Sequence, residues 1–203
     1  MPNQNEIPAI IKDALEERTP KVIEADPASY KDAAVLIPLF HRDSEFTVIL
    51  TQRTERVEHH KGQISFPGGH VDESDASFED AALREAEEEI GLLRKDVQIL
   101  GPLDDQTTVA SQFIVHPFVG LIPYPYDFEI NREEVERILE VPFEVFRSRD
   151  YEVKGYRVIY EGTTYKTPAY RYRGDLIWGA TARIMKDFIK IVGAELGLPS
   201  TKK

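Results

Sequence analysis

The sequence predicts a single α/β or α+β sandwich. Strand-length apolar runs and segments of helical period are interspersed without a regular βαβ rhythm, and neither an internal repeat nor a low-complexity linker interrupts them. With 203 residues, 41% of them hydrophobic, the chain can enclose one sizeable core. The expected organisation is one domain over residues 1–203, with a short helical extension over about residues 1–28.

Residues 6–18 repeat apolar side chains close to the helical period and predict an N-terminal helix. AAVLIPLF (33–40) and FTVILTQR (46–53) predict two strands, with the turn HRDSE between them. GQISFPGGH (62–70) predicts a short strand entering a glycine loop, its end shaped by Phe66 and Pro67. Residues 77–90 make the clearest helix. Ser77 is its expected N-cap, Asp80 stands at the third helical position and Gly91 closes the end. Ala81, Ala82, Leu83, Ala86 and Ile90 supply its packing side.

VQILGPL (97–103) and FIVHPFVGLI (113–122) predict further strands. NREEVERILE (131–140) predicts a capped helix stopped by Pro142. The alternating stretch 151–174 predicts a β-hairpin turning at Glu161–Gly162. A last helix is expected over about 176–196, with Ile177, Ile184 and Phe188 on its apolar side. Trp178 is expected in the core rather than as a stacking platform.

The formal net charge of −11 makes general binding of nucleic acid an unsuitable function, since phosphate binding needs a concentrated basic surface. An anionic substrate then requires local cations, which bound metal ions supply. No run approaches the ~18 apolar residues of a membrane helix, so no membrane partner is expected. The start lacks the basic-then-apolar pattern of a secretory leader, and there is no cysteine to form disulfides or thiolate sites. A cytoplasmic location is the expectation.

The stretch LREAEEEIGL (83–92) raises the chemical question. Glu85, Glu88 and Glu89 share a helix face while Glu87 diverges, and like charges at these spacings each cost roughly 0.2–0.5 kcal/mol. Arg84 reaches only Glu88 along the helix, and no lysine four residues on relieves the three carboxylates. A solvated acidic face is the ordinary reading of such a run. Here the helix follows a strand and a Gly-Gly loop, where backbone groups can join side chains around a ligand. Hard divalent cations such as Mg²⁺ and Mn²⁺ take oxygen ligands of this kind.

GGHVDESDASFEDAALREAEEEIGL (68–92) resembles the Nudix box. Arg84, Glu85, Glu88, Glu89, Gly91 and Leu92 match its second half, R-E-x-x-E-E-x-G-aliphatic. In its first half Asp75 replaces the box glutamate, and the stretch from there to Arg84 is one residue longer than usual. Residues 49–92, with HPFVG, EEVERILEVP and IWGATARI further on, resemble the coenzyme A pyrophosphatase branch, so the likeness covers roughly residues 33–190. Departures from that branch are Ile49 and Thr54 for leucine and serine, and Glu58 where an arginine is usual.

The resemblance implies a Nudix α/β/α sandwich with a mixed central sheet. It implies metal-dependent cleavage of a diphosphate: coenzyme A or acyl-CoA to 4′-phosphopantetheine and 3′,5′-ADP. The alternatives are another nucleoside diphosphate derivative (ADP-ribose, NADH, a dinucleoside polyphosphate), or a non-catalytic nucleotide-binding module. Glu85, Glu88, Glu89 and the Gly69 carbonyl are the implied ligands of Mg²⁺ or Mn²⁺. Arg84 is expected to fork to a box carboxylate and hold it in place. Asp75 either orients the loop or caps the helix with Ser77. The general base is left among Glu88, Glu85 and Glu134. Arg53, Arg56 and Lys61 are candidates to meet phosphate, and Arg53 is the best of them because the family motif keeps an arginine there. His60, which matches a family position, is expected to be structural or substrate-facing, and imidazoles such as His59 suit these cations less well than carboxylates. A homodimer is left open.

Overall fold

The computed structural model describes residues 6–24, 26, 29–42, 45–56, 62–108, 112–193 and 195–196. Helix α1 (Ile7–Glu16) leads into β1 (Lys31–Arg42), β2 (Glu45–Arg53), β3 (Ile64–Ser65) and β4 (Gly68–His70). Helix α2 (Phe78–Ile90) precedes β5 (Gln98–Pro102), β6 (Gln106–Thr107), β7 (Phe113–Leu121) and β8 (Val135–Pro142). A short α3 (Phe143–Arg147), two hairpins and α4 (Gly179–Val192) complete the order. The hairpins are β9 (Arg157–Tyr160) with β10 (Thr163–Lys166), and β11 (Ala169–Tyr172) with β12 (Asp175–Trp178).

Among the described residues, eight strands form one mixed sheet around β1. β1 runs parallel to β7 along one side, from Lys31↔Phe113 to Leu39↔Leu121. On its other side β4 occupies positions 33–35 and β2 positions 39–42, both antiparallel. The sheet therefore splits beside the middle of β1. Helices cover both faces, which is why β1 reads as an almost unbroken apolar run rather than an alternating one. Ala34, Leu36 and Phe40 pack under α2, whereas Ile37 and Leu39 pack with α1, α3 and α4.

Two expectations need correction. Residues 131–140 are not a helix: 131–134 form a turn, and Val135–Pro142 is strand β8. Val135, Ile138 and Leu139 fit a helix stripe as well as a strand. The free antiparallel flank of β2 decides, pairing with β8 from Thr47↔Pro142 to Arg53↔Val135. The last helix starts at Gly179 rather than near residue 176, because Asp175–Trp178 pairs with β11. Gly179, at φ +68°, turns the chain from extended Trp178 into the helix, a left-handed conformation costly for a side chain with Cβ. The expected helix near the N-terminus, the strands at 33–40, 46–53, 97–103 and 113–122 and the helix at 77–90 are present. The hairpin turning at Glu161–Gly162 is present but spans only 157–166 of the expected 151–174, because Ala169–Tyr172 pairs with Asp175–Trp178 instead.

Candidate active site

The box helix is held by local chemistry that the sequence announces. The Ser77 hydroxyl accepts the Asp80 N–H at 3.1 Å, and Gly91 ends the helix at φ +66°. Buried Ala81, Ala82 and Ala86 let the helix lie close on β1. At ~100° per residue, Glu89 stands about 40° to one side of Glu85 and Glu88 about 60° to the other. One flank faces the sheet, so the trio meets three surroundings. The side chain of Glu89 is 2% exposed, that of Glu85 15% and that of Glu88 57%.

Glu89 accepts from Arg53 Nη1 at 3.0 Å and from the Gly68 N–H at 3.3 Å. Burial pushes its carboxyl up to about 8; Arg53 and the Gly68 N–H oppose that, and the charges of Glu85 and Glu134 add to it. Burial also raises the Glu85 carboxyl, against the pull of Arg84 and with further push from Glu88 and Glu134. The Glu85 carboxylate lies directly on Gly69, where an added Cβ would fall 2.5 Å from Oε2. Glycine at 69 thus makes room for the Glu85 carboxylate, which a Cβ would push aside, rather than serving a backbone conformation.

Arg84 organises the other flank. It meets Asp75 through two parallel bonds, Nε to Oδ1 at 2.9 Å and Nη2 to Oδ2 at 3.0 Å. Its Nη1 donates to Glu85 at 2.9 Å and to Glu88 at 3.0 Å, and its Nη2 donates to the His70 carbonyl at 2.9 Å. Asp75 itself accepts the Asp72 N–H at 2.8 Å, and its bonds to Arg84 hold its carboxyl below the usual range. Of the two roles open to Asp75, orienting the loop is the one this geometry serves. Arg84 does more than fork to one carboxylate, as it joins loop 70–75 to the helix.

Among the described residues no three acidic or histidine side chains already converge as a metal cage, and Arg84 stands between Glu85 and Glu88. The donor chemistry nevertheless suits a hard divalent cation. Glu85 and Glu89 are withdrawn from water, repel one another and have carboxyls raised by burial, a state that a cation relieves. Glu134 acts electrostatically on both, although it comes from the turn before β8. Its Oε1 takes only a long contact of 3.5 Å from Asn131 Nδ2.

A cavity of about 380 Å³ opens beside Gly68 and Gly69 on the α4 side of the sheet. Its wall includes Arg53, Phe66, Tyr160, Tyr165, Trp178 and Arg183. Trp178 is therefore a half-buried cavity residue and not a core one; Ile177 beside it takes the core position. Strand alternation explains the exchange, because β12 sends successive side chains to opposite faces. Of the expected phosphate contacts, Arg53 borders the cavity while bonded to Glu89, and Arg56 is exposed away from it. Glu58, His59, His60 and Lys61 lie outside the described residues. Arg183 is a cavity residue that sequence reasoning passed over: it stands in a helix whose apolar side took all the attention.

A sheet split around a glycine pair, with a carboxylate-rich helix laid against it, is the arrangement that the resemblance to the Nudix box implies. The Nudix domain family matches residues 30–161, and the chain belongs to that family, hydrolases of nucleoside diphosphate derivatives that use divalent metal ions. It is 40% identical over 164 residues to a Yersinia enterocolitica protein named "Uncharacterized Nudix hydrolase NudL", covering 78% of this chain and 80% of that one. A Shigella flexneri protein of the same name is 34% identical over 175 residues, covering 85% and 88%. A solved MutT/nudix family protein from Enterococcus faecalis shares the fold, with TM-score 0.52 over 95% of this chain and 76% of that one at 13% identity.

Proposed function

We propose that the protein is a Mg²⁺- or Mn²⁺-dependent diphosphatase of coenzyme A or acyl-CoA, releasing 3′,5′-ADP and the 4′-phosphopantetheine half. One observation carries the reading: the glycine pair that meets Glu85 and Glu89 also borders the 380 Å³ cavity. A diphosphate held at Gly68–Gly69 would have a large, mainly apolar space beside it. That suits a substrate whose diphosphate joins a nucleotide to a long uncharged arm. The motif likeness of residues 49–92 to the coenzyme A branch supports the same choice.

Glu85, Glu89 and the Gly69 carbonyl would hold the cation, with Glu88 recruited if it leaves Arg84. Bound there, the cation neutralises diphosphate charge that otherwise repels a nucleophile. Arg84 and Asp75 fix the loop and the helix relative to each other. Water attacks one phosphorus, forming a P–O bond while the bridging P–O bond breaks and its electrons leave with the departing phosphate. Glu134 is the base we assign to the water's proton, because it stands by Glu85 and Glu89 outside Arg84's grip. The test is turnover with Mg²⁺ or Mn²⁺ of coenzyme A, ADP-ribose, NADH and diadenosine polyphosphates, with products separated by chromatography. The expected products are 3′,5′-ADP and 4′-phosphopantetheine from coenzyme A. Preferential cleavage of any other compound in the panel moves the substrate assignment to that compound.

A further inference from the structure

Arg183 projects from α4 to β6. Its Nη2 donates to the Thr107 carbonyl at 2.7 Å and its Nε to Gln106 Oε1 at 3.3 Å. Both acceptors are neutral, and two bonds use two of the five guanidinium N–H donors. Asp187, one turn on, acts on Arg183 through space, while its own carboxylate accepts from Gln106 Nε2 at 3.3 Å. Burial works against this cation and lowers its proton affinity. Arg183 borders the cavity, as does the first turn of α4, which has neither a side-chain cap nor an acidic residue. Among the described residues no carboxylate makes an ion pair with Arg183, and Asp187 answers its charge only from a distance while bonded to Gln106.

The register sets the anchor of Arg183 apart from the glycine pair at which we place the diphosphate. Gln106, Val115, Ala33 and His70 stand in one row across β6, β7, β1 and β4. Three strand spacings of ~4.8 Å place the β6 anchor of Arg183 about 14 Å from the glycine-bearing strand. Trp178, Tyr160 and Tyr165 line the cavity that joins the two, offering flat apolar surface for a base or ribose.

We propose that Arg183 is a specificity-determining residue that binds a phosphomonoester on the nucleoside half of the substrate, separate from the diphosphate that is cut. This rests on the diphosphatase reading above and deepens it: in coenzyme A the group is the 3′-phosphate. A charge-assisted bidentate contact of this kind is worth roughly ten- to a hundredfold in affinity.

The experiment compares wild type, Arg183→Gln and Arg183→Lys, each checked for an unchanged melting temperature, with coenzyme A and dephospho-coenzyme A as substrates. The expected result is a KM for coenzyme A raised roughly ten- to a hundredfold in Arg183→Gln with kcat kept, partial recovery in Arg183→Lys, and KM for dephospho-coenzyme A within about twofold. Equal KM changes on both substrates overturn the assignment. A second readout needs no turnover: thermal stabilisation by 3′,5′-ADP against that by 5′-AMP. Wild type should prefer 3′,5′-ADP and Arg183→Gln should lose the preference; a preference that survives the substitution also overturns it. If wild type cleaves neither coenzyme but shows the Arg183-dependent preference, the substrate reading fails and the phosphomonoester site stands. Should Arg183→Gln prove unstable, Arg183→Lys carries the comparison alone, with an unaltered KM ratio counting against the proposal.

Discussion

Glu89 and His116 are both buried ionisable residues beside the same sheet, yet their surroundings are balanced differently. His116 faces Asp105 through Nδ1 at 2.9 Å and Asp32 through Nε2 at 3.1 Å, and Phe78 stacks on its ring at 3.7 Å. Asp105 also accepts the Ile23 N–H at 2.9 Å, so the cluster pins the segment after α1 to the sheet. Every partner there is supplied by the chain. At the box helix, one Arg53 contact and one N–H answer Glu89, while Glu85 and Glu134 press on it with like charge. The first cluster is finished as folded; the second is short of positive charge. A fold tolerates such a deficit where a ligand makes it good, and this separates a clasp from a site although both look polar and buried.

Substitution can break the contrast. On the proposed assignment, Glu85→Gln removes a cation ligand and part of the repulsion together. We expect turnover to fall roughly a thousandfold or more, the several kcal/mol that metal stabilisation supplies. Its melting temperature in EDTA should be no lower than that of wild type. A variant that keeps wild-type turnover would falsify the ligand assignment. The same variant should lose the thermal shift that Mn²⁺ gives wild type, about 2.7 kcal/mol at a hundred times Kd.

His116→Leu should do the reverse. Leaving Asp105 buried beside an apolar group costs roughly 3 kcal/mol, about 6–12 °C in melting temperature for a chain of this size. Its kcat/KM at a temperature where it stays folded should match wild type, and a selective loss of activity would place His116 in the machinery instead.

Glu134→Gln sharpens the comparison within the site. A base contributes about 10²-fold at the lower end, so kcat should drop by that much while the Mn²⁺ thermal shift persists. Loss of the shift would make Glu134 a ligand. The smallest effect is Ser77→Ala, about 1 kcal/mol of stability from the lost cap, with kcat/KM retained. A larger loss of activity than of stability would show that the helix start positions the carboxylates.

The box was legible because its chemistry is local. Arg84, Glu85, Glu88, Glu89 and Gly91 stand within one helix and its end, where spacing alone sets which side chains are neighbours. The cap at Ser77 follows from a rule of equally short range, whereas the closeness of Gly69 to Glu85 is set by the packing of the helix on β4. Residues 131–140 misled because their apolar positions satisfy two periods, and only the open flank of β2 chooses between them. Trp178 and Arg183 belong to elements far along the chain from the box, so no spacing rule links them to it.

The sequence alone determined the carboxylate set, its helix, the capping residues and the family they belong to, since each depends on neighbours a few positions away. Tertiary structure decided which carboxylate is buried, that Arg53 answers Glu89, that Asp75 grips Arg84, and that Arg183 and Trp178 share a cavity with Gly69. These pairings join residues distant along the chain, and burial, on which their electrostatics depend, comes into being only when the sheet and helices pack.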